Sequence, residues 1–328
     1  MPSQSPPRRA GSRAGIADGL SQHCAQVAAP GGFRYDFPHS NQNCRKIVKL
    51  PAELSAALLR NVESALAEDI GAADLTAQLI PAQESARANV ISREEAVLCG
   101  TPWFDECFRK LDEKVKIRWY AKDGEKIAPN QILCEIRGNA RALLSAERPA
   151  LNFLQTLSAT TTNVRRYADA VAGTATHIMD TRKTLPGLRL AQKYAVRCGG
   201  GMNQRAGLYD GILIKENHIL AAGGIPQVLQ QAANIAPSGA TIQIEVESLK
   251  ELQIALDAGA KLILLDNFTL KRLREAVSLN AKRAILEASG GITLKNVRAV
   301  AETGVDRISI GALTKDVKAV DLSMRFLD

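Results

Sequence analysis

The feature that most constrains the fold is the regular alternation of short apolar runs and amphipathic segments in the C-terminal half of the chain. The apolar runs have the length of strands, and the segments between them carry the three-to-four-residue apolar spacing of helices. Strand, helix and strand at this spacing require crossover connections, so they predict a parallel sheet with helices outside it. The predicted strands are residues 174–179, 210–214, 241–246, 261–265, 284–288 and 307–310, and the predicted helices are 188–197, 226–235, 249–259, 270–279 and 294–304.

These six strands fall short of a complete βα barrel, which has eight strands and about 250 residues. Residues 160–328 are therefore expected to form an incomplete, open-faced βα barrel of about six to seven strands. An open doubly wound sheet is the competing architecture. The fold class is α/β in either case.

Two further regions precede the predicted barrel. Residues 1–48 are rich in Ser, Pro, Gly and Arg without a sustained period, which predicts a disordered N-terminal extension. Residues 49–159 are expected to form a smaller mixed α/β sandwich domain. Its predicted elements are a helix at 51–68, strands at 86–92, 115–120 and 131–137, and a long helix at roughly 141–171 that runs on into the barrel region.

Charge and composition argue against several classes of partner. The net charge is +8, but much of it lies in the first 50 residues, where seven Arg and Lys stand against two Asp. No aromatic residues alternate with the basic ones, so we expect no nucleic-acid partner. No apolar stretch approaches the ~18 residues of a membrane span, so we expect no membrane association.

The cysteines indicate a reducing compartment. There are six, and none forms a C-x-x-C pair. Cys99 and Cys134 lie inside apolar, strand-like sequence, where thiols are usually reduced core residues. We therefore expect a cytoplasmic protein without a zinc site.

Polar or glycine residues stand at the carboxyl end of every predicted barrel strand. Parallel βα folds bind ligands at this edge, because strand ends and helix N-termini converge there. Their recurrence predicts a site at the mouth of the barrel. The positions are 180–183, Lys215, Glu245 with Glu247, 266–267, 289–291 and Gly311.

The charges at this edge indicate the type of ligand. Arg182, Lys183, Arg205 and Lys215 supply positive charge for carboxylates and phosphates. Two carboxylates would repel a bare anion, so they are expected to face Mg²⁺ carried by a diphosphate. Glycine-rich turns offer backbone N–H groups to a further phosphate. The two carboxylates are Glu245 and Asp266, and the turns are 289–291 and the one at Gly311.

Three longer segments carry a family resemblance. Residues 180–189 (DTRKTLPGLR), 193–201 (KYAVRCGGG) and 211–218 (GILIKENH) resemble the signature segments of quinolinate phosphoribosyltransferase. The likeness runs from about residue 50 to the end of the chain. It implies an N-terminal α/β domain, an open-faced barrel and a homodimer or higher homo-oligomer. It also implies a Mg²⁺-dependent reaction in NAD biosynthesis, in which quinolinate and phosphoribosyl pyrophosphate give nicotinate mononucleotide, CO₂ and pyrophosphate.

The resemblance also implies roles for individual residues. Lys183, Lys215, Glu245 and Asp266 would be catalytic, with the two carboxylates also near the metal. Arg148, in a Glu-Arg-x-x-Leu-Asn segment, would enter the site of the partner subunit. Many relatives have His where this chain has Gln204, which donates a hydrogen bond but carries no charge. The substrate-binding set is Arg148, Thr181, Arg182, Lys183, Gln204, Arg205, Lys215, Glu245, Asp266, Ser289, Gly290, Gly291, Ile310, Gly311 and Ala312.

Other functions remain open from the sequence. Lys215 could be a Schiff-base lysine, because a strand-end lysine in a barrel is also the aldolase arrangement. The same scaffold could be an anion-binding module without catalysis. A related phosphoribosyltransferase with another acceptor is the nearest alternative within the enzyme class.

Overall fold

The computed structural model describes residues 50–327, so the predicted extension 1–48 lies outside the described residues. The first part of the described chain contains three helices, one short 3-10 turn and five strands. In chain order these are α1 (Ala52–Ile70), the 3-10 turn Ala77–Leu79, β1 (Ser85–Ser92), β2 (Ala96–Val97), α2 (Thr101–Leu111), β3 (Lys116–Trp119), β4 (Lys126–Ile127), β5 (Ile132–Asn139) and α3 (Ala140–Ala170).

The remaining elements alternate between strands and helices until the chain end. They are β6 (His177–Met179), α4 (Arg189–Cys198), β7 (Gly211–Ile214), α5 (Glu216–Ala222), α6 (Ile225–Ile235), β8 (Thr241–Val246), α7 (Leu249–Asp257), β9 (Leu262–Asp266), α8 (Leu270–Asn280), β10 (Ile285–Ser289), α9 (Val297–Ala301), β11 (Arg307–Ser309), α10 (Ala312–Lys315) and β12 (Leu322–Leu327).

The N-terminal sheet has the strand order β12-β1-β5-β3 and is antiparallel. Its core includes Trp103, Phe104 and Phe108 of α2, together with the face of α1 that the fourfold spacing of leucine and valine predicted. Burying each such side chain contributes roughly 1.5–3 kcal/mol. The last strand, β12, was not predicted from the sequence. It returns from the end of the barrel to pair with β1.

Helix α3 connects the two parts of the molecule. Its N-cap is Asn139, whose side chain accepts a hydrogen bond from the backbone N–H of Ala142 at 3.2 Å. Its earlier residues, such as Leu154, pack in the N-terminal core, and Val164 packs in the barrel core. The predicted boundary between residues 159 and 160 therefore falls inside one continuous helix.

The barrel strands are all parallel and have the order β6-β11-β10-β9-β8-β7. From β7 to β11 each strand pairs with the next strand in the chain, and β11 then pairs with β6. Only the seam between β6 and β7 is not hydrogen-bonded strand to strand. A doubly wound sheet would instead reverse its order near the middle. The prediction of an open-faced βα barrel is confirmed, with six strands. None of the helices between residues 50 and 327 is long and apolar enough to cross a membrane.

Candidate active site

Apart from Arg148, the predicted site residues lie at or next to the carboxyl edge of the six-stranded sheet. Because the strands are parallel, the residues that end them share this edge, called here the rim. The register places Ser289 of β10 directly beside Asp266 of β9. Lys215 follows β7 next to Glu245 of β8, since Ile214 pairs with Ile244.

Lys215 and Glu245 form an ion pair across neighbouring strands. The Lys215 Nζ lies 2.8 Å from Glu245 Oε2, and the lysine side chain is half exposed while the glutamate is mostly covered. Burial raises the pKa of the Asp266 carboxyl, and the negative charge of Glu245 raises it further. The charges of Lys215 and Lys183 act in the opposite direction. The four residues predicted to be catalytic therefore share one electrostatic environment.

Lys183 reaches the rim across Gly311. A Cβ atom on Gly311 would lie 2.8 Å from Lys183 Cδ and 3.7 Å from Thr181 Oγ1, so a larger residue there would displace the lysine. The carbonyl of Lys183 accepts a hydrogen bond from Thr314 Oγ1 at 2.8 Å. Its backbone N–H donates to Thr181 Oγ1 at 3.1 Å. The ends of β6 and β11 are thus tied together beneath the exposed ammonium group.

Arg182 and Arg205 form a second positive region. Burial lowers the pKa of the Arg205 guanidinium, and the nearby charge of Arg182 lowers it further. Arg205 Nη1 donates to the carbonyl of Gly211 at 2.9 Å. Arg182 Nε is buried without a hydrogen-bond partner in the described residues. Two close guanidinium groups, one with an unused donor, suit an anionic ligand.

The turn after β10 has the backbone that a phosphate site needs. Gly290 and Gly291 have φ angles of +99° and +59°. A Cβ on Gly290 would lie 2.1 Å from Asn267 Oδ1, so no other residue fits there without rearrangement. Asn267 Nδ2 in turn donates to Asp266 Oδ2 at 2.7 Å. The turn and the Asp266 carboxylate are therefore positioned together.

The other predicted turn offers fewer free donors. The backbone N–H of the buried Ile310 donates to the carbonyl of Met179 at 3.1 Å, within the barrel. It is therefore not available to a phosphate. Gly311 and Ala312 follow at the rim.

The side chain of Gln204 points into the barrel interior. Its amide donates a short hydrogen bond to Glu287 Oε1, and Glu287 is fully buried in β10. Burial raises the pKa of the Glu287 carboxyl. The sequence had suggested a substrate contact for Gln204, but the structure gives its side chain an internal partner instead. The sequence reasoning missed Glu287, because a glutamate within an apolar strand has no distinctive spacing.

Arg148 lies outside this cluster. It is exposed on α3, and its charge acts on the neighbouring Glu147, whose pKa is raised by burial. Among residues 50–327 it makes no hydrogen bond or ion pair with the rim. Its predicted role in a partner subunit stays a prediction.

Two other regions contain groups of side chains that could bind a ligand. Ligand atoms of Cys99, Asp123 and Cys198 lie within 4.8 Å of one another. However, the Asp123 carboxylate already accepts hydrogen bonds from the backbone N–H groups of residues 100 and 101 and from Tyr194 Oη at 2.7 Å. Burial also raises the pKa of the Cys99 thiol. We therefore interpret Asp123 in this cluster as a structural residue that caps the N-terminus of α2 and contacts α4.

The second region is a cavity of about 1180 Å³ on the N-terminal domain. It is lined in part by the basic side chains of Arg87, Lys114, Lys116 and Arg137. None of the predicted site residues lines it.

The fold and the rim define a class: βα-barrel enzymes that bind anionic substrates at the carboxyl edge of an open barrel. Comparison with sequence models of protein families identifies the family within this class. The model for the C-terminal domain of quinolinate phosphoribosyl transferase matches residues 159–325, and the model for its N-terminal domain matches residues 74–158. The chain belongs to the quinolinate phosphoribosyltransferase family, which confirms the resemblance found in the sequence.

Individual proteins agree with the family models. The chain is 42% identical over 257 residues to the probable carboxylating nicotinate-nucleotide pyrophosphorylase of Bacillus subtilis, covering 78% of this chain and 89% of that protein. It is 36% identical over 298 residues to the mitochondrial decarboxylating quinolinate phosphoribosyltransferase 2b of Nicotiana tabacum, covering 85% and 84%. The solved nicotinate-nucleotide pyrophosphorylase of Francisella tularensis superposes with a TM-score of 0.81 at 44% identity, covering 87% of this chain and 100% of that one.

Proposed function

We propose that the protein transfers the phosphoribosyl group of phosphoribosyl pyrophosphate to quinolinate with decarboxylation. The products are nicotinate mononucleotide, CO₂ and pyrophosphate, and the reaction belongs to de novo NAD biosynthesis. The observation that carries the proposal is the rim, where cations of the early strands meet carboxylates of the later strands. Family membership and the names of the relatives support the same reaction.

The cations are assigned to the acceptor and the donor phosphates. Arg182 and Arg205 would hold the two carboxylates of quinolinate, because guanidinium groups match planar carboxylates with two hydrogen bonds. Lys183 and Lys215 would supply point charges to neighbouring phosphates. The turn at 289–291, with Gly311 and Ala312, would hold the 5′-phosphate through backbone N–H groups.

The carboxylates are assigned to the donor as its magnesium salt. Glu245 and Asp266 are close enough for the charge of one to raise the pKa of the other. A cation between them and the diphosphate would relieve this repulsion, and oxygen ligands are those that Mg²⁺ prefers. Magnesium would neutralise charge on the leaving diphosphate.

The chemistry requires little proton transfer from the protein. The ring nitrogen of quinolinate forms a bond to C1 of the ribose as the bond from C1 to pyrophosphate breaks, through a transition state resembling an oxocarbenium ion. The positively charged ring then accepts the electron pair of the C2–carboxylate bond, which releases CO₂. A proton from solvent fills the C2 position. Alignment and preorganised charge at the rim would provide the catalysis.

The assembly and location are part of the same proposal. We infer a homodimer or higher homo-oligomer in which Arg148 enters the site of the partner subunit. Its exposure on α3, without a hydrogen bond or ion pair to the rim among the described residues, supports this. A cytoplasmic location is supported by buried free thiols at Cys99, Cys107 and Cys134.

The test compares two acceptors. Protein, Mg²⁺ and phosphoribosyl pyrophosphate are mixed with quinolinate or with nicotinate, and pyrophosphate and CO₂ are measured. We expect equal amounts of both products with quinolinate and no turnover with nicotinate. Binding without turnover would favour an anion-binding module, and turnover with nicotinate alone would favour a related transferase.

A Schiff-base role for Lys215 is tested separately. A Schiff-base lysine attacks as a free amine, whereas Lys215 lies in an ion pair with Glu245. Treatment with borohydride and a carbonyl substrate should leave the mass of the protein unchanged. A covalent adduct at Lys215 would contradict the assignment.

A further inference from the structure

The open seam of the barrel is filled by the segment Met202 to Arg205. Met202 forms a parallel bridge with Met179 of β6, and its backbone N–H donates to the carbonyl of Ile178 at 2.8 Å. On the other side, Arg205 Nη1 donates to the carbonyl of Gly211, the first residue of β7. The segment therefore spans the gap between the two edge strands.

Three hydrogen bonds, arranged as a triangle, hold this segment in place. Lys193 Nζ donates to Asp180 Oδ1 at 2.7 Å and to the carbonyl of Gln204 at 2.9 Å. The backbone N–H of Gln204 donates to the same Asp180 oxygen at 2.8 Å. Lys193 is 3% exposed and Asp180 is fully buried. Each corner of the triangle thus contacts the other two, and its two charged side chains are out of reach of solvent.

A buried ion pair of this kind is not explained by stability alone. Taking both charges out of water costs free energy that their attraction often fails to recover. Burial indeed raises the pKa of the Asp180 carboxyl to about 6, despite the contact with Lys193. Such a pair does provide a fixed geometry, because hydrogen bonds form only within a narrow range of distances and angles.

The triangle connects the two loops that carry Arg182 and Arg205. Asp180 immediately precedes the segment that carries Arg182 and Lys183, and Gln204 immediately precedes Arg205. Lys193 itself lies on α4, outside both loops. A shift of the ammonium group would change the spacing between the cations of the two loops.

We propose that Lys193 is a positioning residue of the phosphoribosyl transfer, which sets the distance between Arg182 and Arg205 through Asp180 and the Gln204 carbonyl. This inference rests on the proposed function. It assigns to Lys193 no contact with either substrate. Its effect should fall mainly on the dicarboxylate acceptor, because both guanidinium groups assigned to the acceptor lie on these two loops, whereas Lys183 is the one residue on them that is assigned to the donor.

The first test is steady-state kinetics of Lys193→Met. We expect the KM for quinolinate to rise at least about tenfold and the KM for phosphoribosyl pyrophosphate to change less than about twofold, because small misplacements of positioning groups cost up to about a hundredfold. The matched control is Lys110→Met, which removes an ion pair with Glu63 of the same 2.7 Å length on the surface. It should leave both constants unchanged. Equal changes in both KM values, or none, for Lys193→Met would overturn the proposal.

A double-mutant cycle separates positioning from general damage to the fold. If Lys193 acts through Arg205, Lys193→Met should weaken quinolinate binding less than about twofold in a protein that already carries Arg205→Ala. If the two substitutions instead weaken quinolinate binding by independent factors that multiply in the double variant, the proposal is overturned. Calorimetric binding supplies this measurement even where turnover is too slow.

Folding is checked with Asp180→Asn/Lys193→Met, which removes both buried charges together. We expect it to fold, by circular dichroism, and to show the same selective loss of quinolinate binding. Failure of both this variant and Lys193→Met to fold would show that the pair serves folding, and would overturn the proposal. The wild-type protein is assayed alongside. If it does not turn over quinolinate, the proposed function fails. If the wild type is active and the Lys193→Met variant behaves like it, only the role of Lys193 is refuted.

Discussion

Glu245 contacts Lys215 at 2.8 Å on one side and raises the pKa of Asp266 on the other. It therefore links the cationic and acidic parts of the rim. The arrangement explains how two anionic substrates can be held next to a pair of carboxylates. It also leads to a pH-dependent prediction.

Replacing Glu245 by Gln should shift the acid limb of donor binding to lower pH. Without the charge of Glu245, the raised pKa of Asp266 falls, so this carboxylate stays ionised in more acidic solution. Binding of the magnesium salt of phosphoribosyl pyrophosphate should be measured from pH 4 to pH 8 by calorimetry. Glu247→Gln, an exposed neighbour two residues along, is the control. An unshifted acid limb in Glu245→Gln would contradict the electrostatic contact.

Mixing two inactive variants tests whether the site is shared between subunits. Arg148→Ala and Lys215→Ala should each be inactive, but a mixture that exchanges subunits should recover about a quarter of the wild-type activity. Half of the dimers then contain one subunit of each variant, and each of these dimers has one intact site out of two. The measurement is turnover after unfolding and refolding the two proteins together. No recovery, in mixed dimers verified by mass, would place Arg148 in the site of its own chain.

Gly290→Ala should be far more damaging than a matched change at Gly259. Both glycines have positive φ angles, +99° and +84°, so alanine costs about 1 kcal/mol at either. At Gly290 the new methyl group would also collide with the Asn267 side chain, whereas at Gly259 it meets nothing within 4 Å. We expect Gly290→Ala to lose a further 1–3 kcal/mol or so of unfolding free energy. It should also raise the KM for phosphoribosyl pyrophosphate, unlike Gly259→Ala.

Asp105→Asn should stabilise the protein at pH 8 and not at pH 4. Burial raises the pKa of Asp105 from 3.8 to about 6, although Trp119 Nε1 donates to its Oδ1 at 2.8 Å. The native state thus favours the protonated carboxyl, and wild-type stability falls as pH rises through about 6. Asparagine keeps the acceptor for Trp119 without the charge, so the gain at pH 8 should be about 1–3 kcal/mol. Urea unfolding at the two pH values measures it, and an equal difference at both would contradict the interpretation.

The parallel half of the fold could be predicted because its pattern is local. Strand β8 (Thr241–Val246) has the predicted bounds, and the other strands differ by a few residues at their ends. The predicted helix at 294–304 is Val297–Ala301 in the structure. It begins later than predicted because the side chain of Asn296 binds the backbone of the preceding turn. Strand β12 was missed because its pairing partner, β1, lies more than 200 residues earlier in the chain.

The location of the site could also be predicted, but not the direction of every side chain. Parallel strands place their carboxyl ends on one rim, so the strand-end residues had to converge. The inward turn of Gln204 towards Glu287 and the burial of Lys193 against Asp180 depend on packing inside the barrel. Sequence spacing carries no information on such contacts.

The most direct test asks where quinolinate binds. The alternative to the rim is the basic cavity of the N-terminal domain, which also offers cations. Calorimetric binding should be compared for wild type, Arg182→Ala at the rim and Lys114→Ala in the cavity. We predict that Arg182→Ala weakens quinolinate binding at least about tenfold, as expected for loss of a charge-assisted contact, while Lys114→Ala binds like wild type. Weakened binding in Lys114→Ala with unchanged binding in Arg182→Ala would contradict the assignment of the rim.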